Sequence, residues 1–375
     1  MGRHRIDNIK YGLTMKKSIL ALAFAACFNF SANACTGISL STTDHDYIQA
    51  RTIEWGHSDL NSKLIISPRN YSYTSTLPDQ KQGLKWKSQY GFVGISVSDD
   101  KFIAEGVNEK GLSAGLFYFR NYGSLAKYDP NETANNITDM DFVRWMLSQF
   151  ESVEQVEAAL NQIKIVTVYF DQQGNPSPTA HWRVSDKNGN SIVIEIMDHG
   201  QIHIHKNSAK VLTNSPDYAW HVTNLNNYIN LHPGTSGEQQ INGVTAQSFG
   251  VGSAFVGLPG DISPPSRFVR AAFYVNTAPE LRSSSQAVAQ AFHILNNFDI
   301  PIGSEFNDKS HIPDLPSATQ WTSVIDQSNG LLFYKTMHDS TIRRVDLGQL
   351  DFNAKTEHKQ PLDKGRFHYQ DVKIQ

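Results

Sequence analysis

An apolar run from Ile19 to Phe30, preceded by Lys16-Lys17 and followed by Ala32-Asn33-Ala34, decides which part of this chain can fold as a globular unit. Basic residues, a short apolar stretch and a small-x-small tripeptide together read as a secretory signal peptide cut after the second small residue. The stretch is too short to span a bilayer. Residues 1–34 are therefore expected to be removed, leaving residues 35–375 to fold as one domain. Residues 1–14 precede a more natural Met15-Lys16-Lys17 opening and read as an over-extended start. No later segment reads as membrane-spanning, so a periplasmic or secreted location is expected.

The cut makes Cys35 the first residue. The other cysteine, Cys27, lies in the apolar run and leaves with it, so the mature chain carries a single thiol. Such a thiol cannot form an internal disulfide, and it is incidental, lipidated or catalytic. An incidental exposed thiol outside the cytoplasm is a liability. A lipid anchor, and with it a surface binding module without turnover, normally requires Leu or a similar aliphatic where this chain has Ala32. The third reading is an N-terminal nucleophile, whose own α-amino group accepts and returns the proton of the attacking side chain. That amine has an ordinary pKa of about 7.7–8.0, close to working pH, and is tethered beside the thiol.

Charge narrows the partners. The chain has 33 Lys+Arg and 36 Asp+Glu, and loss of residues 1–34 leaves 28 against 35, a net charge of −7. No basic cluster or aromatic-interleaved basic stripe is present, so the electrostatic footprint of a nucleic-acid binder is missing. An apolar content of 39% and a charged fraction of 18% suit a packed core rather than disorder.

Short apolar or alternating runs at Ile38–Leu40, Tyr47–Arg51, Lys63–Ile66, Phe92–Val97 and Lys101–Gly106 read as strands. Thr138 with Asp141 resembles a capping box, followed by Val143, Met146, Leu147 and Phe150 on one helical face, and a second helix is expected from Ser152. Ile163–Phe170, His181–Ser185 and Ser191–Met197 read as a meander whose last turn is Asp186-Lys187-Asn188-Gly189. Helices are expected around Asp217–Tyr228, Arg267–Val275 and Ser285–Asn297, and strands near Trp321–Ile325, Leu331–Tyr334 and Ile342–Leu347. Strand blocks alternating with helix pairs imply helices packed on stacked, mainly antiparallel sheets, an α+β architecture.

Five segments, in order, resemble the choloylglycine hydrolase family of bile salt hydrolases and penicillin V acylases, in the style of its exported Gram-negative branch. They are Cys35-Thr36, Arg51-Thr52-Ile53-Glu54-Trp55, Gly106-Val107-Asn108-Glu109-Lys110-Gly111-Leu112, Thr213-Asn214-Ser215-Pro216 and Ser266-Arg267-Phe268-Val269-Arg270-Ala271. The resemblance implies the four-layered αββα sandwich of N-terminal-nucleophile hydrolases and cleavage of a linear, non-peptide amide through a thioester on Cys35. It implies that Arg51 stabilises the thiolate, that Glu54, where the family usually has Asp, orients the α-amine, that Asn214 donates to the oxyanion, and that Arg267 completes the polar cluster. Trp55, Trp86 and Tyr118 are expected to wall the substrate. An aromatic Tyr118 leans toward penicillin V-like acyl groups, with conjugated bile salts and N-acyl homoserine lactones remaining open. The partner is a small N-acyl amide, no cofactor or metal is implied, and the family admits a homotetramer.

Two other motifs compete. Gly111-Leu112-Ser113-Ala114-Gly115 matches a serine nucleophile elbow, which must join a strand to a helix, whereas Leu116–Phe119 reads as strand. His203 and His205 fall on one face of a strand and could begin a metal site, but with no further cysteine a solvated strand face is the expected reading.

Overall fold

The structure, a computed structural model, describes residues 34–170, 174, 179–367, 369 and 371–374. The expected signal peptide, apart from Ala34, lies outside the described residues.

Two antiparallel sheets make the centre. Strands of the first are β1 (Cys35–Ser41), β2 (Tyr47–Glu54), β10 (Val211–Leu212), β11 (Thr319–Asp326), β12 (Leu331–Thr336) and β13 (Arg343–Asp346), in the spatial order β10-β1-β2-β11-β12-β13. The second contains β3 (Lys63–Ser67), β4 (Phe92–Val97), β5 (Asp99–Asn108), β6 (Ser113–Tyr118), β7 (Ala180–Ser185), β8 (Ser191–Met197), β9 (Gln201–Lys206) and β14 (His358–Pro361), ordered β9-β8-β7-β6-β5-β4-β3-β14. Helices α4 (Pro264–Asn276) and α5 (Ser284–Leu295) cover the outer face of the first sheet, and α1 (Asp139–Gln149) covers the second. This is the expected αββα order. Both faces of the central strands are thus covered, which is why β2 and β11 are buried along nearly their whole length instead of alternating in and out.

Strand alternation sets what each face can do. In β1, Gly37 points at the second sheet, where an added Cβ would come within 2.6 Å of Phe117 and 2.7 Å of Arg183 Nη1. Cys35, two residues earlier, shares that inner face, while Thr36 turns toward α4. Between the sheets lies a buried ionic cluster. Glu105 of β5 sits 3.7 Å from Arg51 of β2 and 3.3 Å from Arg183 of β7, and both guanidinium groups lie over the Phe117 ring. Arg183 donates to the carbonyls of Ile38 and Ala50 on the opposite sheet.

Local expectations meet tertiary context at several points. Ser152 caps the short helix α2 (Val153–Ala159) through the Gln155 N–H, and Asp217 caps α3 (Tyr218–Asn224) through Trp220. Thr138 does begin α1, but its hydroxyl donates to Asp141 rather than capping a backbone N–H, because Asp141 is also held by Ser75. Only Lys164–Val166 of the expected Ile163–Phe170 strand forms, paired in parallel with Asn136–Thr138 outside the two main sheets. Gly189 closes the β7–β8 turn with φ +86°, and its neighbours are tied to the Asp186 carboxylate.

Candidate active site

Cys35 opens β1 at one end of the first sheet, in register with Ile53 of β2, which in turn faces Trp321 of β11. Its side chain is buried. Two groups hold its backbone. The Cys35 N–H donates to Asn214 Oδ1 at 2.7 Å, and Arg267 Nη1 donates to the Cys35 carbonyl at 2.5 Å. Arg267 also reaches Thr36 Oγ1 at 2.8 Å, Asn214 Oδ1 at 2.7 Å and the Ile262 carbonyl at 2.9 Å. A guanidinium only donates, so the Asn214 atom facing it is oxygen, and this settles the amide's orientation. Asn214 Nδ2 then donates one hydrogen to the Tyr118 carbonyl at 2.8 Å, leaving its second directed elsewhere.

Electrostatics around the sulfur pull in opposite directions. Burial pushes the Cys35 thiol up, and Glu54 adds to that, while Arg51, Arg267 and the backbone N–H of Tyr118 favour thiolate. Arg51 reaches this position from inside the sandwich. Its Nη1 donates to the carbonyls of Leu116 at 2.5 Å and Ala104 at 3.2 Å, its Nε donates to the Thr52 carbonyl, and its Nη2 is buried without a partner. Glu54, the last residue of β2, has both carboxylate oxygens buried without a well-aligned partner, and burial raises its carboxyl to about 8 against the pull of Arg267 and the nearby Thr52 hydroxyl.

The loop carrying Asn214 is braced from behind. His221 of α3 donates Nε2–H to the Asn214 carbonyl at 2.8 Å, and burial pushes this imidazole down to about 4, keeping it neutral. His181 of β7 bonds the Thr213 carbonyl at 3.0 Å through Nε2 and Glu195 at 2.9 Å through Nδ1. Glu195 also accepts from the Tyr218 N–H, tying this brace to α3.

Of the expected substrate walls, Tyr118 ends β6 half-buried beside Asn214, and Trp55 follows Glu54 with its ring edge-on to His57, which meets Phe306. Trp86 is not brought to this group. Its indole N–H donates to Ser148 of α1 and its ring stacks on Tyr73, because the Gln82–Lys87 and Ser72–Thr76 hairpin packs beneath α1. Ser113 is buried within the β5–β6 hairpin, its hydroxyl 3.4 Å from Glu105, so no strand-to-helix elbow exists there. His203 and His205 share a face of the edge strand β9 but lie near different acids, Asp198 at 3.7 Å and Glu195 at 3.3 Å. Among the described residues, no group of three or more His, Cys, Asp or Glu side chains could hold a metal.

Sequence reasoning missed Glu105, Arg183, His181, His221, Glu195 and the Tyr118 amide. None sits in a motif, and only Glu105 and Arg183 leave a trace, in the glycines that make room for them. An added Cβ on Gly115 would fall 2.0 Å from Glu105 Oε2. Chemically, the site offers a thiol, a nitrogen on the same residue, an unspent Asn214 N–H and two permanent cations, a set suited to acyl transfer.

Comparison with known proteins matches residues 35–359 to the family described as linear amide C–N hydrolases, choloylglycine hydrolase family. A bile salt hydrolase/transferase of Clostridium perfringens is 33% identical over 315 residues, covering 84% of this chain and 93% of that protein. A penicillin V acylase of Pectobacterium atrosepticum is 28% identical over 380 residues, covering 95% and 93%. Among solved structures, a conjugated bile acid hydrolase from Clostridium perfringens superimposes with a TM-score of 0.77 at 30% identity, over 90% of this chain and all of that one. A penicillin V acylase from Agrobacterium tumefaciens gives 0.71 at 25% identity, over 90% and 94%.

Proposed function

The chain belongs to the choloylglycine hydrolase family and is a linear amide C–N hydrolase, and from this premise we propose that Cys35 is its nucleophile, acting as the N-terminal residue of the processed chain. The observation that carries this reading is the double grip on Cys35, its nitrogen on Asn214 Oδ1 and its carbonyl on Arg267. Removal of residues 1–34 turns that gripped nitrogen into an α-amine. The neutral amine takes the Sγ proton, and the thiolate attacks the substrate carbonyl. Negative charge on the carbonyl oxygen meets the second Nδ2–H of Asn214, a donor of the kind typically worth about 3–4 kcal/mol of barrier. Collapse breaks the C–N bond, and the α-ammonium returns its proton to the leaving amine. Water, deprotonated by the same amine, then clears the thioester and releases the acid.

For the acyl group we favour an aromatic, penicillin V-like moiety, supported by Tyr118 and by the Trp55, His57 and Phe306 rings. A conjugated bile salt is the second reading, supported by the bile salt hydrolase relative. Export to the periplasm or medium is part of the proposal, since it supplies the cut after Ala34. So is a homotetramer, supported by the exposed apolar residues Ile229, Ile241, Val244, Phe249, Val251 and Val256 on the segment that precedes α4.

The test is to export the chain from Met15, read its N-terminus by intact mass, and assay penicillin V, glycine- and taurine-conjugated bile salts and an N-acyl homoserine lactone. An unmodified Cys35 terminus with turnover is expected. Cys35→Ser should fold and lose about three orders of magnitude or more in kcat, and full activity in that variant would falsify the assignment. A lipid-modified Cys35 without turnover would support the anchored module instead.

A further inference from the structure

The loop between α5 and β11 carries an acid that no motif marks. Glu305 has both carboxylate oxygens buried and without a hydrogen-bond partner. Its Oε2 lies against Gly56, where an added Cβ would come within 2.6 Å, two residues past Glu54. Glu54 is 1% exposed, and the Thr52 hydroxyl is the one neutral donor beside its oxygens, too poorly aligned to satisfy either. Arg267 acts on both carboxyls through space, yet its hydrogen bonds go to Ile262, Cys35, Thr36 and Asn214.

Ala34 is seated beside these acids. Its carbonyl accepts the Glu54 N–H at 2.9 Å, and its methyl packs with Ile300 and Ala318, with Ile262 and Ile302 behind them. Ile300 and Ile302 lie on the stretch that leads directly to Glu305. Two buried carboxyls with one poorly aligned hydroxyl between them are an incomplete arrangement, and a cation carrying several N–H groups would complete it.

We propose that Glu305 is a positioning residue for the nucleophile's amine: together with Glu54 it forms a two-carboxylate seat that receives the Cys35 α-ammonium once the bond to Ala34 is cut. The inference rests on the N-terminal-nucleophile reading above. Of the three N–H groups of that ammonium, one keeps the Asn214 Oδ1 acceptor already at 2.7 Å from this nitrogen, and the two carboxylates take the others.

The groups facing the seat are Glu54 and Arg51 from β2, Arg267 from α4, the Cys35 thiol from β1, and His57 from the loop after β2 through its contact with Phe306. With the seat empty, burial holds Glu54 at about 8 and Glu305 at about 7. An ammonium lowers both, and two carboxylates hold the amine protonated to higher pH. Removing one negative charge therefore lets the amine lose its proton at lower pH.

The experiment uses processed enzyme with a Cys35 terminus verified by mass, and measures kcat/KM against pH for wild type, Glu305→Gln and Glu305→Asp. The acid limb, which reports the free enzyme's base, is expected to move down by about 1 pH unit in the Gln variant and to return most of the way in the Asp variant. A folded Gln variant whose limb superimposes on wild type overturns the proposal. Should that variant fail to fold, the α-amine is titrated in wild type by NMR of 15N-labelled Cys35, which keeps all three N–H groups. A pKa above the ordinary range is expected, and one of about 8.0 or less overturns the seat. Failure of the wider reading looks different: no Cys35 terminus, or turnover that survives Cys35→Ser.

Discussion

Arg267 joins the nucleophile strand to the rest of the site, since one planar group spans the Cys35 carbonyl, Thr36 and Asn214. A lysine carries the charge on a single point and cannot span all three acceptors. Arg267→Lys is expected to lower kcat/KM by about a hundredfold, measured with whichever amide the assays identify. Glu54 yields a prediction about stability. Its carboxyl sits at about 8 in the folded, uncut chain against an ordinary 4.5, so the neutral form is the one the fold favours. That contribution is complete below pH 4.5 and is lost as pH rises toward 8. Uncut Glu54→Gln should therefore match wild type in urea denaturation at pH 4 and exceed it by on the order of a few kcal/mol at pH 9. Equal stability at both pH values would contradict the buried acid. The residues that surround Cys35 were legible because they sit in short, ordered motifs. Glu305, His181 and His221 were not, because a buried polar side chain is recognisable only by what lies opposite it in space.

At the level of elements, two glycines do what no larger residue could. Gly37 on β1 lets Phe117 and Arg183 approach the first sheet, and Gly115 on β6 leaves room for the Glu105 carboxylate. Gly115→Ala pushes a methyl into a buried ion cluster and is expected to cost about 2–4 kcal/mol in urea denaturation, with activity falling alongside because Arg51 shares Glu105. A surface-like cost below about 0.5 kcal/mol would show that the cluster shifts freely. The same motif had suggested a serine elbow, and the hairpin explains why it is not one: small residues recur wherever two layers come close. Strands with strong apolar runs were readable from sequence. Lys164–Val166 and the edge strand β14 fell short of or escaped that reading, since short edge pairings depend on a partner rather than on their own pattern.

For the whole molecule, strand order was beyond the reach of periodicity, which reports the face a residue turns and not its neighbour. β1 pairs with β10 far along the chain, Gly37 with Leu212; the alternating strand and helix blocks pointed to helices on stacked sheets, and the four-layered αββα order came from the family resemblance. The exposed segment before α4 belongs to this scale too. Phe249→Ser combined with Val251→Ser should yield a smaller particle by light scattering if copies meet through it, with unchanged far-ultraviolet circular dichroism. An unaltered mass would move the contact elsewhere. Finally, the seat of Ala34 has a meaning in time. In the proposed maturation, the bond that must be severed is one the finished fold hides, since Ala34 is 1% exposed and Cys35 4%, so the cut has to come before this end of β1 closes. On that reading, the order of events is the control: a copy that folds uncut carries an amide where the base belongs, and only one trimmed first closes into a working site.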